Sequence, residues 1–263
     1  MARRATAIKQ ERAQNEGIVL VLDAGNALLG QSESVTSPGQ LMVQAMNAMG
    51  YDAMALGEYD LAGGLAVVKE CEERARFPFL AANLVTTGDN QLIVRPYVVL
   101  ARGGAHFGIL GLTDPGAKEV LGEHSGATVL DPLQVASHYV PELRAKVDVL
   151  IVLSSLGLEG DKALAAAVPG IDIIIGGTSH TLMNKPERVG NTLIVQQGYS
   201  GEWLGRLEVT YDAGGQPVRF TEEVMTLTDD FPDDQEIAAL VEKWKALYPT
   251  PTLPPTPTPP PGS

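Results

Sequence analysis

The 263-residue chain has few cysteines, few aromatic residues and few positive charges. Its single cysteine, Cys71, allows no internal disulfide, and the acidic neighbours Glu70 and Glu72 disfavour a reactive thiolate there. Lysine and arginine number 19 against 32 aspartates and glutamates, which gives a formal net charge of −13. Because such a chain repels nucleic-acid phosphates and anionic membranes, we expect no nucleic-acid partner.

Long hydrophobic runs are also missing. No apolar stretch approaches the roughly 18 residues of a membrane-spanning helix. The N-terminal segment MARRATAIKQER carries charges of both signs, whereas a secretory signal has an apolar centre. We therefore expect neither a membrane span nor a signal peptide in this chain, and the compartment stays open.

Apolar stretches of strand length alternate with amphipathic stretches of helix length. The pattern predicts helices over 5–15, from an N-cap at Ser37 to Gly50, and over 64–75, 132–146, 159–167 and 233–247. It predicts strands over 18–23, 53–56, 79–84, 97–100, 105–112, 149–153 and 171–175, with 192–196 and 204–211 as an antiparallel pair. This alternation is typical of an α/β fold with mixed sheets flanked by helices.

The composition changes near the C-terminus. Residues 1–248 contain the apolar periodicity of one folded domain, whereas 249–263 consist mainly of proline and threonine. Such a segment cannot build a core, so we predict a disordered tail or linker there.

Polar residues follow the predicted strands at the ends where α/β sheets bind ligands. The first strand ends at Asp23 and is followed by Asn26, and later strands are followed by the segments 57–60, 154–157 and 176–181. These segments predict a binding site at one edge of the fold. Ordinary solvent-facing loops have the same composition, so the residues alone leave both interpretations open.

Several of these segments resemble the motifs of a known family. They are LDAGNALLG, YDAMALGEYD, FPFLAANL, VDVLIVLSSLG, IDIIIGGTSHT and GNTLIVQQGYSGEWLGRLEVTYD, in this order between residues 4 and 212. They resemble the catalytic domain of the 5′-nucleotidase family of two-metal, calcineurin-like phosphoesterases, and thiosulfohydrolase relatives share them. The resemblance implies a four-layer α/β/β/α sandwich with mixed sheets.

The resemblance also implies where two divalent metals would bind. The family's bridging aspartate falls on Asn26. The asparagine and the catalytic histidine of its Gly-Asn-His motif fall on Glu58 and Tyr59. An amide supplies only a neutral oxygen, so Asn26 is a poor bridge between two cations.

The remaining ligands are largely replaced too. Two family histidines fall on Ser155 and Thr178, whose hydroxyls bind transition metals weakly, and one is retained as His180. We assign no catalytic residue and expect no cofactor. We expect a vestigial site formed by Asn26, Glu58, Tyr59, Asp60, Ser155, Thr178 and His180. One Mn²⁺, Zn²⁺, Mg²⁺ or Ca²⁺ could be surrounded by Asp23, Glu58, Asp60 and His180, with Glu58 and His180 as its ligands. In the alternative without a metal, we expect Asp23 to form a local hydrogen bond and Asp60 to cap the next helix.

Three hypotheses follow. The first is a degenerate, non-catalytic domain with a binding or structural role, and the second is a divergent metal-dependent phosphoester hydrolase with a reduced site. The third is a truncated form of a longer protein, because the family's opening Asp-x-His strand and second domain have no counterpart in the sequence. Family relatives are mostly exported. A missing first strand would leave a sheet edge open to a protein partner or a second copy.

Overall fold

The structure, a computed structural model, describes residues 1–29, 37–212 and 217–248. The predicted tail at 249–263 lies outside these residues. The described α-helices are α1 Ala2–Gln14, α2 Gln40–Met49, α3 Leu65–Arg74, α4 Ala117–Leu121, α5 Pro132–Arg144, α6 Gly157–Ala167 and α7 Gln235–Leu247. None of them is long and apolar enough to cross a bilayer.

The described strands are β1 Leu22–Asp23, β2 Ala53–Ala55, β3 Phe79–Leu80, β4 Leu84–Thr86, β5 Tyr97–Arg102, β6 Ala105–Leu112, β7 Ala127–Val129, β8 Val149–Ser154, β9 Ile173–Gly176, β10 Glu187–Val189, β11 Thr192–Gln196, β12 Trp203–Tyr211 and β13 Pro217–Thr226. Strands β1, β2 and β3 form a parallel sheet, and a six-stranded mixed sheet has the order β10-β11-β9-β8-β6-β5. Strands β12 and β13 form a hairpin, and β4 pairs with β7.

Three apolar clusters stack these elements into layers. Between the sheets, Ala53, Ala55 and Leu80 of the small sheet pack with Ile109 and Leu153 of the large one. Residues of α1, α2, α3 and α7 fill the cluster on the outer face of the small sheet. Residues of α5 and α6 cover the outer face of the large sheet. The expected four-layer α/β/β/α sandwich is thereby confirmed.

Several local predictions need correction. The run 18–23 pairs as a strand only at Leu22–Asp23, and the run 79–84 divides into β3 and β4. Strands β11 and β12 are not partners: β11 lies between β9 and β10, and β12 pairs with β13. Apolar sequence identifies buried segments but does not choose their hydrogen-bonding partners.

The start of α2 also differs from the prediction. Helix α2 begins at Gln40, after Gly39, which has the left-handed φ of 73° and occupies the N-cap position in place of Ser37. A Cβ atom added at Gly39 would lie 2.7 Å from the Cys71 sulfur, so only glycine fits against α3 here.

Candidate functional site

The ends of β1, β2 and β9 bring three predicted site residues into contact. The Asn26 Oδ1 atom accepts a hydrogen bond from the Tyr59 backbone N–H at 2.8 Å. The Asn26 amide Nδ2 donates to the Thr178 hydroxyl at 3.4 Å. Asn26 therefore lies between the loop that follows β2 and the loop that follows β9, and its side chain joins them.

Asp60 joins the loop that follows β1 to the loop that follows β2. Its side chain is fully buried. Oδ2 accepts the backbone N–H groups of Asn26 at 2.7 Å and Gly57 at 2.9 Å, and Oδ1 accepts the N–H of Leu28 at 2.8 Å. The prediction that Asp60 caps the next helix is wrong, because two of its three donors belong to the loop after β1.

Burial raises the pKa of Asp60 to about 7, while the three backbone donors oppose that rise. Asp23 adds a smaller like-charge effect in the upward direction. Burial also raises the pKa of Asp23, against the attraction of the Arg4 guanidinium. The prediction that Asp23 bonds locally is confirmed, since its Oδ1 accepts the Gly25 N–H at 3.0 Å.

Ser155 and Glu58 lie beside the loop that follows β6. Ser155 is buried, and its hydroxyl accepts the Asp114 backbone N–H at 2.9 Å. Glu58 is half-buried, and a Cβ atom added at Gly116 would lie 4.0 Å from its Oε2. Ser155 therefore fixes the 113–116 loop with its hydroxyl, and Glu58 lies against that loop.

His180 lies on the exposed rim of the site. Its ring centroid lies 5.1 Å from that of Tyr199, with the planes tilted by 32°. Among the described residues, no hydrogen bond or ion pair joins His180 to Glu58, and no group of three or more His, Cys, Asp or Glu side chains is placed to hold a metal ion. In the part of the chain that the structure describes, the four candidate ligands of the single-metal hypothesis therefore do not form such a group.

The backbone is strained at this site. Asn26, Thr178 and His180 have φ values of 61°, 69° and 56°, in the left-handed region that non-glycine residues rarely adopt. Asparagine tolerates this region, but a β-branched threonine does so only under constraint. Residues held in such conformations cluster at functional sites, so the strain supports a site here.

A buried polar network under the site was missed from the sequence. The Asp161 carboxylate, in α6, accepts hydrogen bonds from the Ser154 hydroxyl and, at 2.9 Å, from the Gln196 amide. The Gln196 oxygen in turn accepts from the Ser179 hydroxyl at 2.6 Å, so the network reaches the loop between Thr178 and His180. Burial raises the pKa of Asp161 to about 7. The available signal was an acidic residue at helical spacing from the apolar residue Leu164.

Known proteins are similar to this chain in sequence and in fold. The chain is 30% identical over 269 residues to the 5′-nucleotidase of Bos taurus, covering 93% of this chain and 47% of that protein. A 5′-nucleotidase precursor structure from Thermus thermophilus matches with a TM-score of 0.86 and 30% identity, covering 94% of this chain and 53% of that one. The Thermus thermophilus sulfate thiohydrolase SoxB matches with a TM-score of 0.86 and 25% identity, over 94% of this chain and 46% of that one.

No family model matches the sequence. The chain spans about half the length of the relatives it matches. The similarity extends over almost the whole chain and agrees in fold with the four-layer sandwich described above. The chain therefore belongs to the 5′-nucleotidase family of calcineurin-like phosphoesterases.

Proposed function

We propose that this domain is a non-catalytic member of its family, which keeps the fold for a binding or structural role. The observation that carries the proposal is the Asn26 side chain. It stands at the position that the resemblance assigns to the bridging aspartate, and both ends of its amide bind protein groups, Tyr59 N–H and the Thr178 hydroxyl. A side chain used in this way is not free to bridge two cations.

The other donors at the site do not fit a two-metal centre either. Metal pairs that activate water are bound by carboxylates and imidazoles. Ser155 and Thr178 offer neutral hydroxyls, and the Ser155 hydroxyl already accepts a backbone N–H. Asp60 adds a carboxylate, but it accepts three backbone N–H groups and is fully buried. This set of donors supports a structural role for the residues at the candidate site.

A binding role finds support at the edge of the three-stranded sheet. Within the described residues, β1 pairs with β2 on one side and with no strand on the other. An unpaired edge presents backbone donors and acceptors that another chain can use by adding a strand. We propose that a protein partner or a second copy of this chain pairs there, and sedimentation over a range of concentrations tests the second case.

The decisive experiment combines elemental analysis with hydrolysis assays. The purified protein is incubated with Mn²⁺, Zn²⁺, Mg²⁺ and Ca²⁺, freed of unbound ions and analysed for metal, then assayed with AMP and bis(p-nitrophenyl) phosphate. We expect no stoichiometric metal and no turnover above the protein-free blank.

The divergent-hydrolase alternative predicts the opposite result. It requires stoichiometric metal and turnover, both lost in His180→Ala. The matched control is His124→Ala, since His124 is an exposed histidine in the loop after α4 and is not among the candidate ligands. Metal and turnover that vanish in the first variant and persist in the control would overturn the non-catalytic proposal.

A further inference from the structure

A cavity lies at the opposite ends of β9 and β11 from the site described above. Its volume is about 280 Å³, and it lies between the starts of β9 and β11 and the β12–β13 hairpin. Ile173 and Leu193, in its wall, begin the strands whose other ends, Gly176 and Gln196, lead into the first site. At about 3.3 Å per residue, the strand separates the two sites by roughly 10 Å.

Two arginines give this cavity its charge. Arg188 of β10 and Arg219 of β13 line it. Both are exposed, and neither guanidinium makes an ion pair or hydrogen bond with any of the described residues. In a chain with a net charge of −13, two unpaired guanidinium groups facing one cavity are a local reversal of sign. Guanidinium groups match the planar fork of a carboxylate.

The acidic residue in the wall does not cancel that charge. Asp172 forms an ion pair with the Arg144 guanidinium, which lies outside the cavity lining. The same carboxylate oxygen accepts the Leu150 backbone N–H at 2.7 Å. Asp172 is thus already paired, and the charge that remains in the cavity is positive.

The other polar groups at the wall include hydrogen-bond donors. Burial raises the pKa of Tyr211 to about 12, so its phenol keeps its proton at neutral pH and can donate. The Asn191 side chain, also in the wall, has an amide NH₂. The register of β12 against β13 shifts between Thr210 and Tyr211, and such bulges change the direction of side chains beside binding sites.

Apolar side chains complete the cavity. Ile173 and Leu193 are 7% and 4% exposed, and Val209 and Phe220 lie opposite them on the hairpin. Small-molecule sites typically combine an apolar lining with a few convergent polar groups and begin at about 300 Å³, so this cavity suits a ligand of small size. We propose that it binds a small organic carboxylate, with the anion at Arg188 and Arg219 and a flat apolar body against Phe220.

The test uses 4-fluorobenzoate as the probe and follows its ¹⁹F NMR line width during titration with the protein. We expect saturable broadening by the wild type. The neutral isostere 4-fluorobenzamide should bind at least about tenfold more weakly, because it lacks the charge that the guanidinium groups recognise. Equal binding of benzoate and benzamide would overturn the ionic part of the proposal.

The matching variants locate the site. In Arg188→Gln/Arg219→Gln we expect at least about a tenfold loss of 4-fluorobenzoate affinity, with an unchanged thermal midpoint because both side chains are exposed. The control is Arg76→Gln, an exposed arginine outside the cavity, which should bind as the wild type does. Absence of saturable binding to the wild type, or equal affinity in the double variant and the control, would overturn the proposal.

Discussion

Asp60 offers the sharpest test of how the site loops are held. Replacing it with asparagine preserves its size but leaves one oxygen for three backbone donors. If that oxygen keeps the bonds to Asn26 and Gly57, the buried Leu28 N–H faces an NH₂ group instead of an acceptor. Each buried polar group left without a partner costs about 1–3 kcal/mol. With its pKa at about 7, Asp60 is charged in only about half of the molecules at pH 7. Removal of that buried charge offsets part of the cost, so we expect a net loss of about 2 kcal/mol.

The assay is urea unfolding at pH 7, followed by tryptophan fluorescence. The matched control is Asp230→Asn, because Asp230 is exposed and accepts one hydrogen bond, from the Thr228 hydroxyl at 2.9 Å. Its free energy of unfolding should change by less than about 0.5 kcal/mol. Hydrogen exchange should quicken at Leu28 in the Asp60 variant alone. A stability for Asp60→Asn within about 0.5 kcal/mol of the wild type would refute the assigned role.

Three further outcomes test the local chemistry. Burial raises the pKa of Asp161 to about 7 in the folded protein, whereas an unfolded aspartate titrates near 4. Between these values only the folded state holds the proton, so the free energy of unfolding should fall by roughly 1.4 kcal/mol for each unit that the pH rises, and less steeply in Asp161→Asn. Equal slopes of the two proteins in urea titrations would contradict this. Cys71 is buried, and that burial is the main reason why its pKa is raised to about 11. Ellman's reagent should therefore label it only after unfolding. Rapid labelling of the native protein would contradict the packing. Gly25→Ala would place a Cβ atom 2.6 Å from the Gly57 backbone nitrogen, at a φ of 107°. It should destabilise the protein more than Gly122→Ala, where φ is also positive (75°) but the space is open. Equal losses of unfolding free energy in urea would contradict the close approach.

The sequence predicted the layers better than the strand pairings. Buried helices and strands such as α5, β6 and β8 have strong periodicity or long apolar runs, and their positions were found to within a few residues. Strand β13 was missed, since its exposed hairpin position leaves it little apolar signal. The run 18–23 was predicted too long as a strand because a ladder needs a partner, which the run itself does not reveal.

The candidate site shows the same limit. Motif order indicated that Asn26, Tyr59 and Thr178 would share an edge, and the structure brings these three together. The partners of Asp60 were not predictable, because Asn26 and Leu28 lie 34 and 32 residues away in sequence. The helical spacing of Asp161 from Leu164 could indicate burial of Asp161, but its network joins separate elements, so local spacing could not reveal its partners.

We propose that the polar groups at the candidate site bind one another and do not bind cations. An electron paramagnetic resonance titration of Mn²⁺ tests it directly, since the six-line signal of free Mn²⁺ is lost on binding. At physiological ionic strength, which screens weak attraction to the acidic surface, we predict no stoichiometric loss of signal. A loss of one or two equivalents, abolished in His180→Ala and retained in His124→Ala, would contradict the account and identify a working metal site.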